Sequence, residues 1–246
     1  FIRTGTNGFL FRHSEQAGYI DHVKRIADKL AETNLKTLWI SVDSADPGTH
    51  ERMRGLPGVI KGIEKALPVF REFGIYPSAN LGINRNTGGT TSMMNLESSS
   101  DGRNGELFYQ QAVFSFRKFY RFVMELGFTI VNACYPMSDD HNAASALESV
   151  YGASSGDNII TFSADEKVLL YRALFDTITE FRSGIRIFTP RVSLHSLIRQ
   201  YSGDAKETYP CLGGIDFFFI DAVSGQVYPC GYRGSESMGD FLNLDI

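Results

Sequence analysis

The sequence predicts an α/β fold in which helices alternate with the strands of a parallel sheet or barrel. Short apolar runs, such as residues 38–42, alternate with longer segments whose apolar residues recur every three or four positions. The predicted loops at 88–105 and 136–161 both follow predicted strands. Because barrel enzymes hold their chemistry at the carboxyl ends of their strands, these loops are expected near a functional site.

Each predicted element has a local signal. The chain opens at the end of a strand, and further strands are predicted at 38–42, 76–83, 128–134 and 185–188, with a hairpin of 216–222 and 226–229 in the tail. The predicted helices begin after Ser14, after Asp46-Pro47-Gly48, around Ile60, ahead of Ala112, and at the capping box Ser163–Glu166. Pro68 is expected to kink or shorten its helix.

Composition limits the function. The chain of 246 residues, 43% of them hydrophobic, is long enough for one large α/β domain or a domain with a small extension. A net charge of −4 gives no support to nucleic-acid binding, and no apolar run suits a membrane span. Three cysteines are too few and odd in number for a disulfide scaffold. We therefore expect a cytoplasmic protein without nucleic-acid or membrane partners.

Ser41 and Asp43 stand at the carboxyl end of the predicted strand 38–42. Side chains two residues apart on a strand point to the same face, so this serine and carboxylate are predicted to face the mouth of a βα unit. Such a pair could hold the hydroxyls of a sugar. The simpler alternative is that Asp43 only caps the following helix.

Four stretches together resemble the radical S-adenosylmethionine (SAM) enzymes. They are Thr6-Asn7-Gly8, Ser41-Val42-Asp43, Arg54-Gly55 with Gly58, and Asn80–Asn84 with Asn86. The resemblance implies a partial (β/α)6 TIM-like barrel over residues 1–202, with strands three to six of that barrel present. It also implies that Ser41 and Asp43 hold the SAM ribose, that Asn80 and Asn84 lie near adenosine, and that Thr6 and Asn7 complete the cofactor site.

The tail resembles the start of the SPASM and Twitch extensions of the same superfamily. Thirteen residues separate Cys211 from Gly225, and four separate Gly225 from Cys230. This resemblance implies a small carboxyl-terminal β-hairpin module over residues 203–246, in which Cys211 and Cys230 ligate an auxiliary iron–sulfur cluster. The CxxxCxxC loop of the catalytic [4Fe-4S] cluster does not occur in the sequence. We therefore expect a fragment, incomplete at both ends and inactive alone.

The implied function is that of an enzyme that cleaves SAM to a 5′-deoxyadenosyl radical, which abstracts hydrogen from a substrate. The extension implies a peptide or protein substrate, and the cluster implies an electron donor such as flavodoxin or ferredoxin.

Two alternatives remain open. One is a metal-dependent TIM-barrel hydrolase or isomerase that uses Asp43, His50 and the run Asp139-Asp140-His141. The other is a non-catalytic SAM-binding or interaction domain. Cys134, at the end of a predicted strand, either contacts substrate or is a small core residue.

Overall fold

The computed structural model describes residues 2–94, 103–136, 159–204 and 212–243. These residues belong to two compact units. The first comprises Phe1–Pro136 with Phe162–Glu207, and the second comprises Met137–Thr161 with Thr208–Ile246. None of the helices in the described part of the chain has the length and apolar character that crossing a bilayer requires.

The first unit is built on five parallel strands that lie side by side in chain order. The strands are β1 (Ile2–Thr6), β2 (Leu35–Ser41), β3 (Ser78–Gly82), β4 (Ile130–Cys134) and β5 (Arg186–Ile187). Sequential parallel strands with intervening helices are the repeating unit of TIM-like barrels. The predicted α/β class and partial TIM-like barrel are thus confirmed. The strand predicted at 185–188 occurs as β5, so the sheet has one strand more than the four barrel strands that the resemblance implied.

Helices connect these strands and cover one face of the sheet. They are α1 (Tyr19–Ala31), α2 (Pro47–Arg54), α3 (Val59–Glu72), α4 (Arg103–Glu125), α5 (Ala164–Phe181) and α6 (Arg191–Tyr201). The covered face carries small and branched apolar side chains that are buried: Leu38, Ile40, Val42, Ala79, Leu81, Ile83, Val131 and Ala133. Burial of this apolar face against the helices supplies most of the driving force for folding.

The helix ends follow local chemistry. Asp46 caps α2, because its carboxylate accepts the backbone N–H of Thr49 at 2.8 Å, and Pro47 occupies the first turn. Gly55 ends α2 in the left-handed conformation, with a φ of 64°. Ser163 and Glu166 form the predicted capping box at the start of α5.

Three local predictions differ from the structure. Helix α1 begins after Gly18 rather than after Ser14. Pro68 lies inside α3, which continues to Glu72. Helix α6 has no counterpart among the predicted elements, because its apolar spacing over residues 191–201 was not recognised.

The second unit contains a three-stranded antiparallel sheet of β6 (Phe219–Ile220), β7 (Gln226–Tyr228) and β8 (Gly239–Asp240). The first two strands form the predicted hairpin. Asp221 closes its turn by accepting the backbone N–H of Ser224 at 3.0 Å. The predicted boundary between residues 202 and 203 stays a prediction.

Candidate functional site

The uncovered face of the parallel sheet is polar and aromatic. Alternate residues of the strands point to this face, and they enclose a cavity of about 180 Å³. Its lining consists of Arg3, Thr37, Trp39, Ser78, Asn80, Asn132 and Phe188. We call this space the sheet cavity. Amides, hydroxyls, an arginine and two aromatic rings are the groups that recognise a small polar molecule with an apolar side.

Asn80 is the centre of the polar groups in the sheet cavity. It lies opposite Asn132 in the register of β3 and β4, and its Oδ1 accepts a hydrogen bond from Nδ2 of Asn132 at 3.0 Å. Its Nδ2 lies 3.3 Å from Sγ of Cys134. Cys134 is exposed at the carboxyl end of β4. The three side chains therefore form one chain of contacts that runs from the cavity to the strand end.

Trp39 forms an apolar wall of the sheet cavity by lying across the neighbouring strand. A Cβ atom placed on Gly5 of β1 would stand 1.6 Å from Nε1 of Trp39. The indole can occupy this position only because residue 5 has no side chain. Trp39 is also the single tryptophan of the chain. The glycine thus sets the shape of the cavity.

Asp43 does not line an open cavity. It is 5% exposed, and Nε of Arg54 donates to its Oδ2 at 2.5 Å. The backbone N–H of Gly82 donates to Oδ1 at 3.2 Å. Both carboxylate oxygens are therefore engaged within the protein.

His50 supports Asp43 from helix α2. Its Nδ1 accepts the backbone N–H of Asp43 at 3.1 Å, so the ring proton lies on Nε2. His50 is fully buried, and burial lowers its pKa below the usual 6.5, although the Asp43 carboxylate acts in the opposite direction. Nε2 has no hydrogen-bond partner among the described residues.

The other predicted site residues have structural roles. Nδ2 of Asn84 donates to the carbonyl of Asp43 at 2.9 Å and to that of Gly82 at 2.7 Å. Thr6 and Asn7 accept the N–H groups of the turn that follows β1, at 3.1 and 3.0 Å. Ser41 lies opposite Asn80 in the sheet and is half-buried. Of the six predicted residues, only Asn80 lines the sheet cavity.

The residues proposed for metal binding do not fit a metal site. Within the described ranges, no group of three or more His, Cys, Asp or Glu side chains could hold an ion. Asp43 has Arg54 as its partner, and His50 uses Nδ1 for the backbone. The run Asp139-Asp140-His141 and Cys211 lie outside the described residues. Cys230 is a free thiol in the second unit.

A buried ion pair fixes the segment that follows β3. Nη2 of Arg85 donates to Oε2 of Glu166 at 2.7 Å, and both residues are buried. The same Oε2 accepts the N–H of Ser163 in the capping box of α5. This contact joins the carboxyl end of β3 to the start of α5.

The comparisons with known proteins give no family. No protein-family model and no curated protein matches the chain. Two solved structures of a D-allulose 3-epimerase from Methylomonas sp. overlap it. The one in complex with D-allulose has a TM-score of 0.35 and 12% identity, and covers 76% of this chain and 50% of that one. The one with additional C-terminal residues has a TM-score of 0.36 and 12% identity, and the overlap covers 80% of this chain and 59% of that one.

The chain thus spans between half and three-fifths of the epimerase structures. The prediction of a radical SAM enzyme is wrong. Neither a family model nor a curated protein of that superfamily matches the chain. The described residues contain no cluster-binding group. SAM, the catalytic [4Fe-4S] cluster and the auxiliary cluster are therefore wrong as predicted cofactors.

Sequence reasoning missed most of the sheet cavity. Arg3, Trp39, Ser78 and Asn132 lie in predicted strands, and none of them is among the predicted site residues. A signal was present, because polar and apolar residues alternate over 78–81 and because Asn132 interrupts the apolar run 130–133. On a strand between two neighbours, such alternation marks one buried face and one face that meets something polar.

Proposed function

We propose that this chain forms the ligand-binding part of a barrel-type enzyme that acts on a small hydroxyl-rich molecule, in the class of sugar isomerases. The observation that carries the proposal is the sheet cavity itself, in which Trp39 stands beside the paired amides of Asn80 and Asn132. Aromatic rings pack against the C–H faces of sugars, and amides exchange hydrogen bonds with sugar hydroxyls.

The size and charge of the sheet cavity support this substrate class. A volume of about 180 Å³ lies below the roughly 300–1,000 Å³ of drug-sized sites, which favours a ligand as small as a monosaccharide. Arg3 is the single ionisable residue in its lining. A neutral or singly anionic ligand therefore fits better than a cation.

Cys134 is the group that we assign to proton transfer. It lies exposed at the carboxyl end of β4, and the amide of Asn80 contacts its sulfur. In an isomerisation, a thiolate can remove the proton from the carbon beside a sugar carbonyl and return it to the former carbonyl carbon, while the proton of the neighbouring hydroxyl passes to the former carbonyl oxygen. Asp43 and His50 take no part in this step, because their polar atoms are engaged or buried.

Fluorescence of Trp39 gives a direct binding test. The chain is titrated with D-allulose, D-fructose and sorbitol, and we expect saturable quenching or a shift of the emission, because the indole lies at the cavity wall. Asn132→Ala should weaken binding about tenfold through the loss of hydrogen bonds to the ligand. Asn34→Ala, an exposed asparagine outside the cavity, is the matched control. Absence of saturable binding, or equal affinity in the two variants, contradicts the proposal.

Turnover is measured on the full-length protein with the sugar that binds best. Cys134→Ser should keep the affinity and lower the rate of isomerisation by about 10²–10⁴-fold, the range for loss of a general acid–base group. Unchanged turnover in this variant would remove Cys134 from the mechanism while leaving the binding result intact.

A further inference from the structure

A second and larger cavity lies in the segment between β1 and α1. Its volume is about 510 Å³, within the roughly 300–1,000 Å³ of small-molecule sites. We call it the α1 cavity. Its lining consists of Phe9, Leu10, Arg12, His13, Gln16, Ala17, Gly18, Tyr19, Asp21, His22 and Arg25. The segment follows the carboxyl end of β1, on the side of the sheet where barrel folds bind ligands.

The α1 cavity has an excess of positive charge. Arg12 and Arg25 each carry a positive charge, and Asp21 is the single carboxylate in the lining. No carboxylate of the described residues forms an ion pair with either arginine. The neighbouring Glu15 is engaged elsewhere, 3.1 Å from Nζ of Lys61 and 2.9 Å from that of Lys65. Neither arginine of the cavity therefore has an ion-pair partner within the described part of the chain.

Arg12 is held in a fixed position with an unused donor. Its guanidinium stacks on the ring of Phe9, with Cζ 3.6 Å from the ring centroid. Nε of Arg12 is buried and has no hydrogen-bond partner among the described residues. A buried donor without a partner is unfavourable, and an oxygen of a ligand would satisfy it. The stacking leaves the guanidinium oriented before any ligand arrives.

The remaining lining provides an apolar side. Phe9 is 53% exposed and Leu10 is 44% exposed, although both are large hydrophobic residues. They stand beside the arginines in the same cavity. A ligand with an anionic end and an apolar body would cover both kinds of surface.

We propose that the α1 cavity binds a phosphate monoester with an apolar or aromatic body. Two arginines match the oxygens of a phosphate, because guanidinium groups form paired, charge-assisted hydrogen bonds with such anions. A phosphate has enough oxygens to accept a pair of hydrogen bonds from each of the two arginines, whereas a carboxylate has only two oxygens. The apolar body packs on Phe9 and Leu10. This site is separate in its residues from the sheet cavity, so the proposal does not depend on the sugar substrate.

Calorimetric titration of the 246-residue chain with phenyl phosphate, inorganic phosphate and benzoate tests the proposal. Phenyl phosphate is expected to bind in the millimolar range or tighter, about tenfold tighter than inorganic phosphate and than benzoate. Arg25→Gln should weaken phenyl phosphate binding about tenfold, since a charge-assisted bond is lost. Arg172→Gln makes the same charge change on an exposed residue of α5 and should have no effect.

Arg25 is exposed and forms no ion pair with the described residues, so its variant should keep the fold, and an unchanged thermal midpoint verifies this. Arg12→Gln is the second variant and should weaken binding by at least as much. No saturable binding of phenyl phosphate overturns the proposal. So does equal binding by the wild type, the Arg25 variant and the Arg12 variant. Benzoate that binds as tightly as phenyl phosphate overturns the assignment to a phosphate.

Discussion

Replacement of Arg54 by glutamine tests whether Asp43 is a structural ion rather than a ligand-binding one. The side chain of Asp43 is 7% exposed and that of Arg54 is 32% exposed. Removing one partner of a fully buried pair costs about 3–5 kcal/mol. Water reaches part of the Arg54 site, and Gly82 still donates to the carboxylate, so we expect Arg54→Gln to cost about 2 kcal/mol of unfolding free energy.

The assay is urea unfolding followed by tryptophan fluorescence. Trp39 is the single tryptophan and lies in the first unit, so the signal reports on the unit that contains the pair. Arg52→Gln is the matched control on the same helix. Arg52 is exposed, and its side chain donates to the hydroxyls of Thr49 and Thr90 at 3.1 and 3.2 Å, so its loss should cost less than about 0.5 kcal/mol.

A double-mutant cycle separates the pair from its surroundings. Asp43→Asn alone leaves an amide N–H group facing the guanidinium, so it should also destabilise the first unit. In the double variant Asp43→Asn with Arg54→Gln, two neutral amides can form a hydrogen bond. We expect its loss of unfolding free energy to be smaller than the sum of the two single losses by about 1–2 kcal/mol. If Arg54→Gln costs no more than Arg52→Gln, water compensates Asp43, and the structural role assigned to this carboxylate is refuted.

Three further perturbations test other parts of the first unit. Burial lowers the pKa of His50 below 6.5, so the unfolded chain takes up a proton at this residue at a higher pH than the folded chain does. The free energy of unfolding should therefore fall as the pH drops below about 6.5. His50→Asn keeps an acceptor for the N–H of Asp43 and should reduce this pH dependence, as measured by urea unfolding at several pH values. Gly5→Ala should displace the indole of Trp39, shift its emission and weaken sugar binding. Glu166→Gln should cost about 3 kcal/mol through the buried Arg85 charge, whereas exposed Asp165→Asn should cost little.

The sequence was sufficient for the sheet because its signals are local. The buried strand at 38–42 and the Ser163 capping box each follow from a few neighbouring residues, and both occur as predicted. The start of α1 was misplaced because Gly18, in the left-handed conformation, precedes the helix without a side-chain cap. A glycine is a weaker helix-start signal than a serine, so the sequence pattern favours Ser14 although the helix begins after Gly18.

The site was harder to predict, because its residues come together only through strand pairing. Asn80 and Asn132 lie on different strands, and their contact depends on the register between β3 and β4. The position of Trp39 depends on a glycine of the adjacent strand. Neither contact can be predicted from the residues of one strand alone. By contrast, Asp43 was visible as a polar residue at a strand end, but its partner Arg54 lies eleven positions later in the chain.

These two cases have a common physical origin. Where a parallel strand ends, the backbone leaves the sheet, and its N–H and C=O groups must find new partners. The carboxylate of Asp43 accepts the backbone N–H of Gly82, and the amide of Asn84 donates to the backbone carbonyl of Asp43. Polar residues at strand ends are therefore needed whether or not a ligand binds. A polar side chain within a strand is not needed for this purpose, because pairing in the sheet already provides hydrogen-bond partners for the backbone N–H and C=O groups. The amides of Asn80 and Asn132, which lie inside strands and face a cavity, are therefore stronger indicators of function than the carboxylate of Asp43.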